Sequence, residues 1–201
     1  NVPVWLLRQA GRYLPEYMKV RTKFPDFFEM IKKPEVCKEL TLQPLRRFPL
    51  DAAITFTDIL TIPEAMGVDI KFIKGQGPIF ADSIKNNSKL KLNESNFIEK
   101  LNYVFEATQL IKNEIDVPLI GFSGSPWTLF VYLFYGKSPR DYKIINAYIE
   151  NEPENTHAIL DVLSNATQDY ISAQIKSGAD CIQIFDSWGG LLSPEDYNIF
   201  S

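Results

Sequence analysis

Four short apolar runs, at residues 2–7, 52–56, 117–122 and 181–185, punctuate a chain of otherwise mixed polarity. They are continuous rather than alternating, which is the pattern of parallel strands covered on both faces. Segments of helical period lie between them. Residues 34–48 open on Pro34-Glu35, a pair suited to a first helical turn. Across 95–115, Phe97, Ile98, Leu101, Val104, Phe105, Leu110 and Ile111 follow the spacing of one helix face. Residues 153–177 do the same with Ile159, Leu160, Leu163, Ala166, Tyr170 and Ile171, and stop at Gly178. Within 67–80, Gly75-Gln76-Gly77-Pro78 marks a short hairpin. The polar stretches 82–95 and 150–156 read as surface connections. Neither an internal repeat nor a low-complexity tract breaks this order.

Strand and helix in alternation predict an α/β protein with a parallel sheet. Four such units do not close an eight-unit barrel, which typically takes about 250 residues. The expectation is therefore that residues 1–201 are the first half of one barrel domain. A half-barrel by itself would expose two parallel edge strands, a recognised aggregation hazard. The start at Asn1, inside an apolar stretch and without Met, adds the expectation that residues precede it.

Polar or glycine-rich clusters follow each apolar run: Arg8-Gln9-Ala10-Gly11-Arg12, Thr57-Asp58, Ser123-Gly124-Ser125-Pro126-Trp127 and Asp186-Ser187-Trp188-Gly189-Gly190. In a parallel barrel the carboxyl-terminal strand ends meet at one face, where active sites lie. Arg8, Arg12 and Arg21 are half of the chain's six arginines. Guanidinium forks grip carboxylates through paired bonds, which suits a polyanionic ligand. The competing account is a set of surface arginines paired with Glu16 or Asp26. Gly11 and Pro15 argue against a long regular helix here, so an irregular loop is expected. Asp58 at a strand end suits the holding of a developing cation, or else caps the segment 59–66. Residues 121–125 approach a nucleophile elbow, but Ser125 stands at the fifth position, and the single histidine, His157, lies far from any strand end. On pattern alone Tyr132, on the helix after the third run, is a core residue.

Composition narrows the classes. At 45% hydrophobic and 23% charged the chain is of ordinary globular make-up. A net charge of −4 speaks against a nucleic-acid partner. No apolar run reaches the roughly 20 residues of a membrane span, and no secretory leader is read at the start. Cys37 and Cys181 are far apart, which suits free thiols in a reducing compartment. No histidine or cysteine spacing suggests a metal site.

The run Pro3-Val4-Trp5-Leu6-Leu7-Arg8-Gln9-Ala10-Gly11-Arg12-Tyr13-Leu14-Pro15-Glu16-Tyr17 closely resembles the signature near the start of the uroporphyrinogen decarboxylase family. Phe56-Thr57-Asp58-Ile59-Leu60, residues 121–128 and Phe185-Asp186-Ser187-Trp188-Gly189-Gly190 resemble three further motifs of that family, in order. The resemblance implies a (β/α)8 TIM-type barrel. It also implies cofactor-free decarboxylation of the four acetate side chains of uroporphyrinogen III, giving coproporphyrinogen III in haem biosynthesis. Arg8 and Arg12 would bind substrate carboxylates, with Gln9, Ala10 and Gly11 lining the cleft and Arg21 a more distant anionic contact. Asp58 would face the pyrrole NH groups and stabilise a protonated ring, Arg8 is the family's proposed proton donor, and Tyr132 and Ser187 would contact the substrate. A homodimer in the cytoplasm is implied, with a plastid as the alternative compartment. Ser123 and Ser125 stand where the family has alanines. Its substrate-contacting histidine falls beyond this chain, and His157 is not that residue. Two rivals are a zinc-dependent methylcobamide:coenzyme M methyltransferase of the same fold and a truncated, non-catalytic tetrapyrrole-binding protein.

Overall fold

The computed structural model describes residues 2–73, 75–87, 90–139 and 143–201. In chain order the elements are α1 (Pro15–Arg21), α2 (Phe27–Ile31), α3 (Pro34–Arg47), β1 (Ala53–Ile54), α4 (Thr61–Ala65), β2 (Ile70–Ile73), β3 (Gly77–Phe80), α5 (Phe97–Lys100), α6 (Asn102–Lys112), β4 (Leu119–Gly124), α7 (Pro126–Tyr135), α8 (Lys143–Asn151), α9 (Pro153–Lys176), β5 (Cys181–Phe185) and α10 (Pro194–Phe200). A three-stranded sheet has the order β1-β4-β5, and β1 runs parallel to β4 with Ala53 opposite Leu119 and Ile54 opposite Ile120. The hairpin expected within 67–80 is present as β2 and β3, paired antiparallel.

Two expectations are corrected. Residues 2–7 form no strand: Val2 is 85% exposed, and Val4, Leu6 and Leu7 are exposed with it. A continuous apolar run signals a doubly covered strand only where layers cover it, and among the described residues Val2, Val4, Leu6 and Leu7 are left uncovered. The segment is fastened instead by Val4, whose N–H donates to Asp51 Oδ2 at 2.6 Å and whose carbonyl accepts from Asp51 N at 2.8 Å. The expected irregular loop through residue 21 ends at Pro15, which begins α1 rather than preventing it. Proline's fixed φ suits the first helical position, while Glu16 in the first turn and Lys19 and Arg21 in the last complement the helix dipole.

The chain divides into two compact units, the first comprising Asn1–Asp58, Glu99–Phe122 and Ile171–Gln183. In it α3 packs on α6, and Ala53, Ile111 and Leu119 form a fully buried cluster ringed by Leu45, Ile115 and Val117. The buried Gln174 reaches β4 with its amide: Oε1 accepts from Phe122 N and Nε2 donates to Phe122 O, both at 3.0 Å. Asp180 accepts from Leu119 N at 2.7 Å and from Lys112 Nζ at 2.7 and 2.8 Å, joining the start of β4 to the end of α6. The Leu119 amide and then the Lys112 ammonium hold the Asp180 carboxyl below its ordinary range. Cys37 donates its thiol to Ile31 O at 3.0 Å, and burial pushes that thiol up to about 12. Cys181 is exposed.

The second unit comprises Ile59–Ile98, Ser123–Tyr170 and Ile184–Ser201. Its centre is α7, where Trp127, Leu129, Phe130, Val131, Leu133 and Phe134 are buried. Ser125 caps the helix by accepting from Thr128 N, and Gly136 ends it at φ +65°, a left-handed conformation that favours glycine. Gly136 O then accepts from Phe80 N at 2.9 Å, tying the hairpin to the end of α7.

Replacing Gln174 by Leu keeps the volume but strips two buried backbone groups of these partners. The expected cost is about 0.5–1.5 kcal/mol for each lost bond, read as a lower urea midpoint at unchanged slope. The Asp180 interaction has a defined pH sense. Its folded pKa lies below the unfolded one, so its stabilisation is present above the unfolded pKa and lost as pH falls through the folded value. Wild type should therefore exceed Asp180→Asn in Tm at neutral pH, and the two should converge below the ordinary carboxylate range.

Candidate active site

In the first unit the loop 8–14 carries the arginines. Arg8 and Arg12 are exposed, Ala10 and Gly11 are half-buried, and Gln9 is 2% exposed. Among the described residues neither Arg8 nor Arg12 is in an ion pair or a hydrogen bond. The acids offered as their partners are engaged elsewhere. Glu16 accepts from Arg47 Nε at 2.9 Å and Nη2 at 3.0 Å, and Asp26 Oδ1 caps α2 by accepting from Glu29 N at 2.8 Å. Arg21, at the end of α1, is half-buried and donates to Phe24 O. Both Arg12 and Arg21 lie close enough to Tyr17 for their charges to oppose the upward push that burial gives its hydroxyl. Arg12 and Arg21 thus both act on Tyr17.

The side chain of Gln9 is turned inward, where Nε2 donates to Ala52 O at 2.6 Å and Oε1 accepts from Ile54 N at 3.3 Å. Past β1 the chain runs on to Thr55, whose N–H donates to Ile120 O at 3.0 Å, and Phe56, whose N–H donates to Thr41 Oγ1 at 3.0 Å. Asp58 follows, half-buried. Helix α4 begins at Thr61 with Leu60 in the cap position, two residues past Asp58. Thr57 Oγ1 is buried with no hydrogen-bond partner among the described residues.

The second unit holds the other cluster. Asp186 Oδ1 accepts from Ser125 Oγ at 2.6 Å and Thr128 Oγ1 at 3.1 Å. Thr128 Oγ1 in turn accepts from Trp188 N at 3.2 Å, and Trp127 Nε1 donates to Trp188 O at 3.0 Å. These bonds hold the turn that presents the exposed Ser187. Tyr132 stacks on Phe80 at 6.4 Å between centroids and meets Trp188 edge-on at 5.8 Å. Trp188 Nε1 is buried and has no hydrogen-bond partner among the described residues. Ser125 is thus a helix cap held by a carboxylate rather than a nucleophile, and the exposed His157 stacks on Phe200 at 5.0 Å. Among the described residues no three His, Cys, Asp or Glu side chains group as metal ligands, and no helix is long and apolar enough to cross a membrane.

Sequence reasoning assigns no role to Asp186, Thr128 and Trp188. The hint lies in Asp186-Ser187-Trp188-Gly189-Gly190, since a turn with two glycines beside a carboxylate marks a close approach. A Cβ on Gly189 would lie 2.2 Å from Asp186 Oδ2.

A family model described as uroporphyrinogen decarboxylase (URO-D) matches residues 1–201. The chain belongs to that family. It is 50% identical to the uroporphyrinogen decarboxylase of Alkalilimnicola ehrlichii, covering 100% of this chain and 56% of that protein. It is 48% identical to the one from Vibrio campbellii, over 99% of this chain and 57% of the relative. The chain therefore spans little more than half the length of these curated relatives. A solved methyltransferase from Methanosarcina mazei superposes with a TM-score of 0.75 at 23% identity, over 99% of this chain and 58% of that one. The fold class is that of the uroporphyrinogen decarboxylase family, an α/β barrel of the (β/α)8 type, of which this chain covers about half.

The close approach at Gly189 distinguishes two adjacent glycines. Gly189→Ala should destabilise by about 1–3 kcal/mol through overpacking. Gly190→Ala, with nothing within 4 Å of its Cβ position, should stay within about 0.5 kcal/mol of wild type. Equal Tm values for the two variants would refute the Asp186 packing.

Proposed function

We propose that the full-length protein is a uroporphyrinogen decarboxylase, converting uroporphyrinogen III to coproporphyrinogen III by removing CO2 from four acetate arms without a cofactor. The observation that carries this reading is the exposed pair Arg8 and Arg12, free of ion pairs among the described residues while Glu16 and Asp26 are engaged elsewhere. Two guanidinium groups four residues apart on one loop, with Arg21 nearby, suit a ligand bearing many carboxylates.

The chemistry needs an electron sink, and a protonated pyrrole supplies one within the substrate. Protonation of the ring makes a cation, which the Asp58 carboxylate stabilises. The bond from the acetate methylene to the carboxylate then breaks, CO2 leaves, and its electron pair passes into the ring. A proton delivered to the methylene carbon leaves a methyl group, and loss of the ring proton restores the pyrrole. Each arm so consumes one proton overall. Arg12 and Arg21 hold carboxylates not yet reacting and orient each arm in turn. Family likeness is the support for Arg8 as the proton donor. Arginine is a weak general acid unless strongly perturbed, so its grip on carboxylate is the role this proposal depends on. The backbone of Gln9, Ala10 and Gly11 lines the cleft, and Tyr132 and Ser187 contact the substrate. The reading includes a homodimer in the cytoplasm, or in a plastid, with family likeness as its support.

Anaerobic incubation with uroporphyrinogen III and no added cofactor should release seven-, six-, five- and four-carboxyl porphyrinogens in succession. Tight binding with no loss of CO2 would overturn the enzyme reading. Asp58→Ala should lower kcat by about 10²–10³-fold with substrate binding largely kept, and near-normal turnover would remove Asp58 from the mechanism.

A further inference from the structure

The side chain of Gln9 bonds to β1 in the way the backbone of a neighbouring strand would. In a parallel ladder one residue bonds to the carbonyl before and the N–H after the residue it faces. The Gln9 amide makes that pattern opposite Ala53, donating to Ala52 O at 2.6 Å and accepting from Ile54 N at 3.3 Å. The other edge of β1 is taken by β4, to which Ala53 N and Thr55 N donate through Pro118 O at 2.9 Å and Ile120 O at 3.0 Å. Alternate residues point their N–H and C=O groups to opposite edges, so the two sets do not compete. On its main-chain side Gln9 is tied into the loop, where its carbonyl accepts from the Tyr13 hydroxyl and Leu14 N donates to Gly11 O at 3.0 Å. Arg8 precedes Gln9 directly and Arg12 follows three residues later, while Asp58 lies four residues past Ile54. One buried amide thus joins the arginine loop to the strand that leads to Asp58.

We propose that Gln9 is a positioning residue whose side-chain amide fixes the register of the Arg8–Arg12 loop against β1, and through it the spacing of the guanidinium groups from Asp58. The inference rests on the reading of Arg12 as a carboxylate-binding residue. Gln9 is the side chain that fits this task because it spans two backbone groups of one edge with a donor and an acceptor at fixed separation. Both bonds are made in a buried setting, where the unmade bond is costly and the made one is rigid.

The test uses uroporphyrin, the oxidised octacarboxylate that cannot be decarboxylated, as a binding probe followed by fluorescence, with kcat and KM on uroporphyrinogen III in parallel. The proteins are wild type, Gln9→Met, Arg12→Ala and the double variant, all of full length. Gln9→Met keeps the length and removes both amide bonds. It should weaken uroporphyrin binding by about tenfold and lower kcat/KM by roughly 10–100-fold. In the Arg12→Ala background, where only Arg8 is left to misplace, the same change should weaken binding by no more than about threefold, because groups that act as a unit are not additive. A purely structural glutamine would lower Tm and leave the two effects multiplicative, and that outcome overturns the proposal. So does wild-type binding by Gln9→Met. Should Gln9→Met fail to fold, Tyr13→Phe removes the loop's exposed tie and should show the same dependence on Arg12 at smaller size. Its absence overturns the proposal. A wild-type protein that binds uroporphyrin in this Gln9-dependent way but releases no CO2 would refute the decarboxylase reading and leave the role of Gln9 standing.

Discussion

Buried backbone N–H and C=O groups must be paired, and this protein meets that demand at short strands by lending them side-chain amides and hydroxyls. Strand β1 has two residues, too few to be held by its ladder to β4 alone. Gln9 supplies one edge, and the Thr41 hydroxyl takes the next N–H, at Phe56, while itself donating to Cys37 O at 2.9 Å within α3. Gln174 performs the corresponding task for Phe122 in β4. Each of these side chains is buried, so each is locked by packing as well as by its bonds.

The same rule separates scaffold from candidate chemistry. Polar groups that end in closed networks, such as Asp186 with Ser125 and Thr128, fix the backbone and have no capacity left for a ligand on the bonds they already make. Arg8 and Arg12 are the opposite case, cations on an exposed loop without an internal acid among the described residues. Thr57 Oγ1 and Trp188 Nε1 stand between these cases, buried and without a hydrogen-bond partner among the described residues.

Much of the fold was legible because the relevant signals are local. Strand β5 matches residues 181–185 to the residue, bounded by Gly178 before it and a polar turn after it. Helix α3 matches 34–48 to within one residue, since Pro34 and Glu35 mark its start. The misreadings share one cause, which is that an apolar run does not say what covers it. Residues 2–7 are largely hydrophobic and exposed, whereas the expected strand 52–56 shrinks to two residues, with Ile54 N and Phe56 N bonded to the side chains of Gln9 and Thr41. Helix α8 escapes the sequence pattern although its buried residues Ile145 and Ile149 stand one helical turn apart. The motif residues are likewise found by short-range likeness. Their partners are not, because Asp186 meets Ser125 across 61 residues and Glu16 meets Arg47 across 31. Such pairings are settled by the path of the chain, not by the residues beside them.

The two cysteines illustrate how burial divides residues of one kind. Cys37, with its thiol pushed up to about 12 and its hydrogen given to Ile31 O, carries almost no thiolate at neutral pH. Cys181 stands exposed at the start of β5. Among these 201 residues, then, one of the two thiols is addressable. A maleimide dye or a spin label on Cys181 would report on β5, and labelling of Cys37 would signal that the core around α3 had opened.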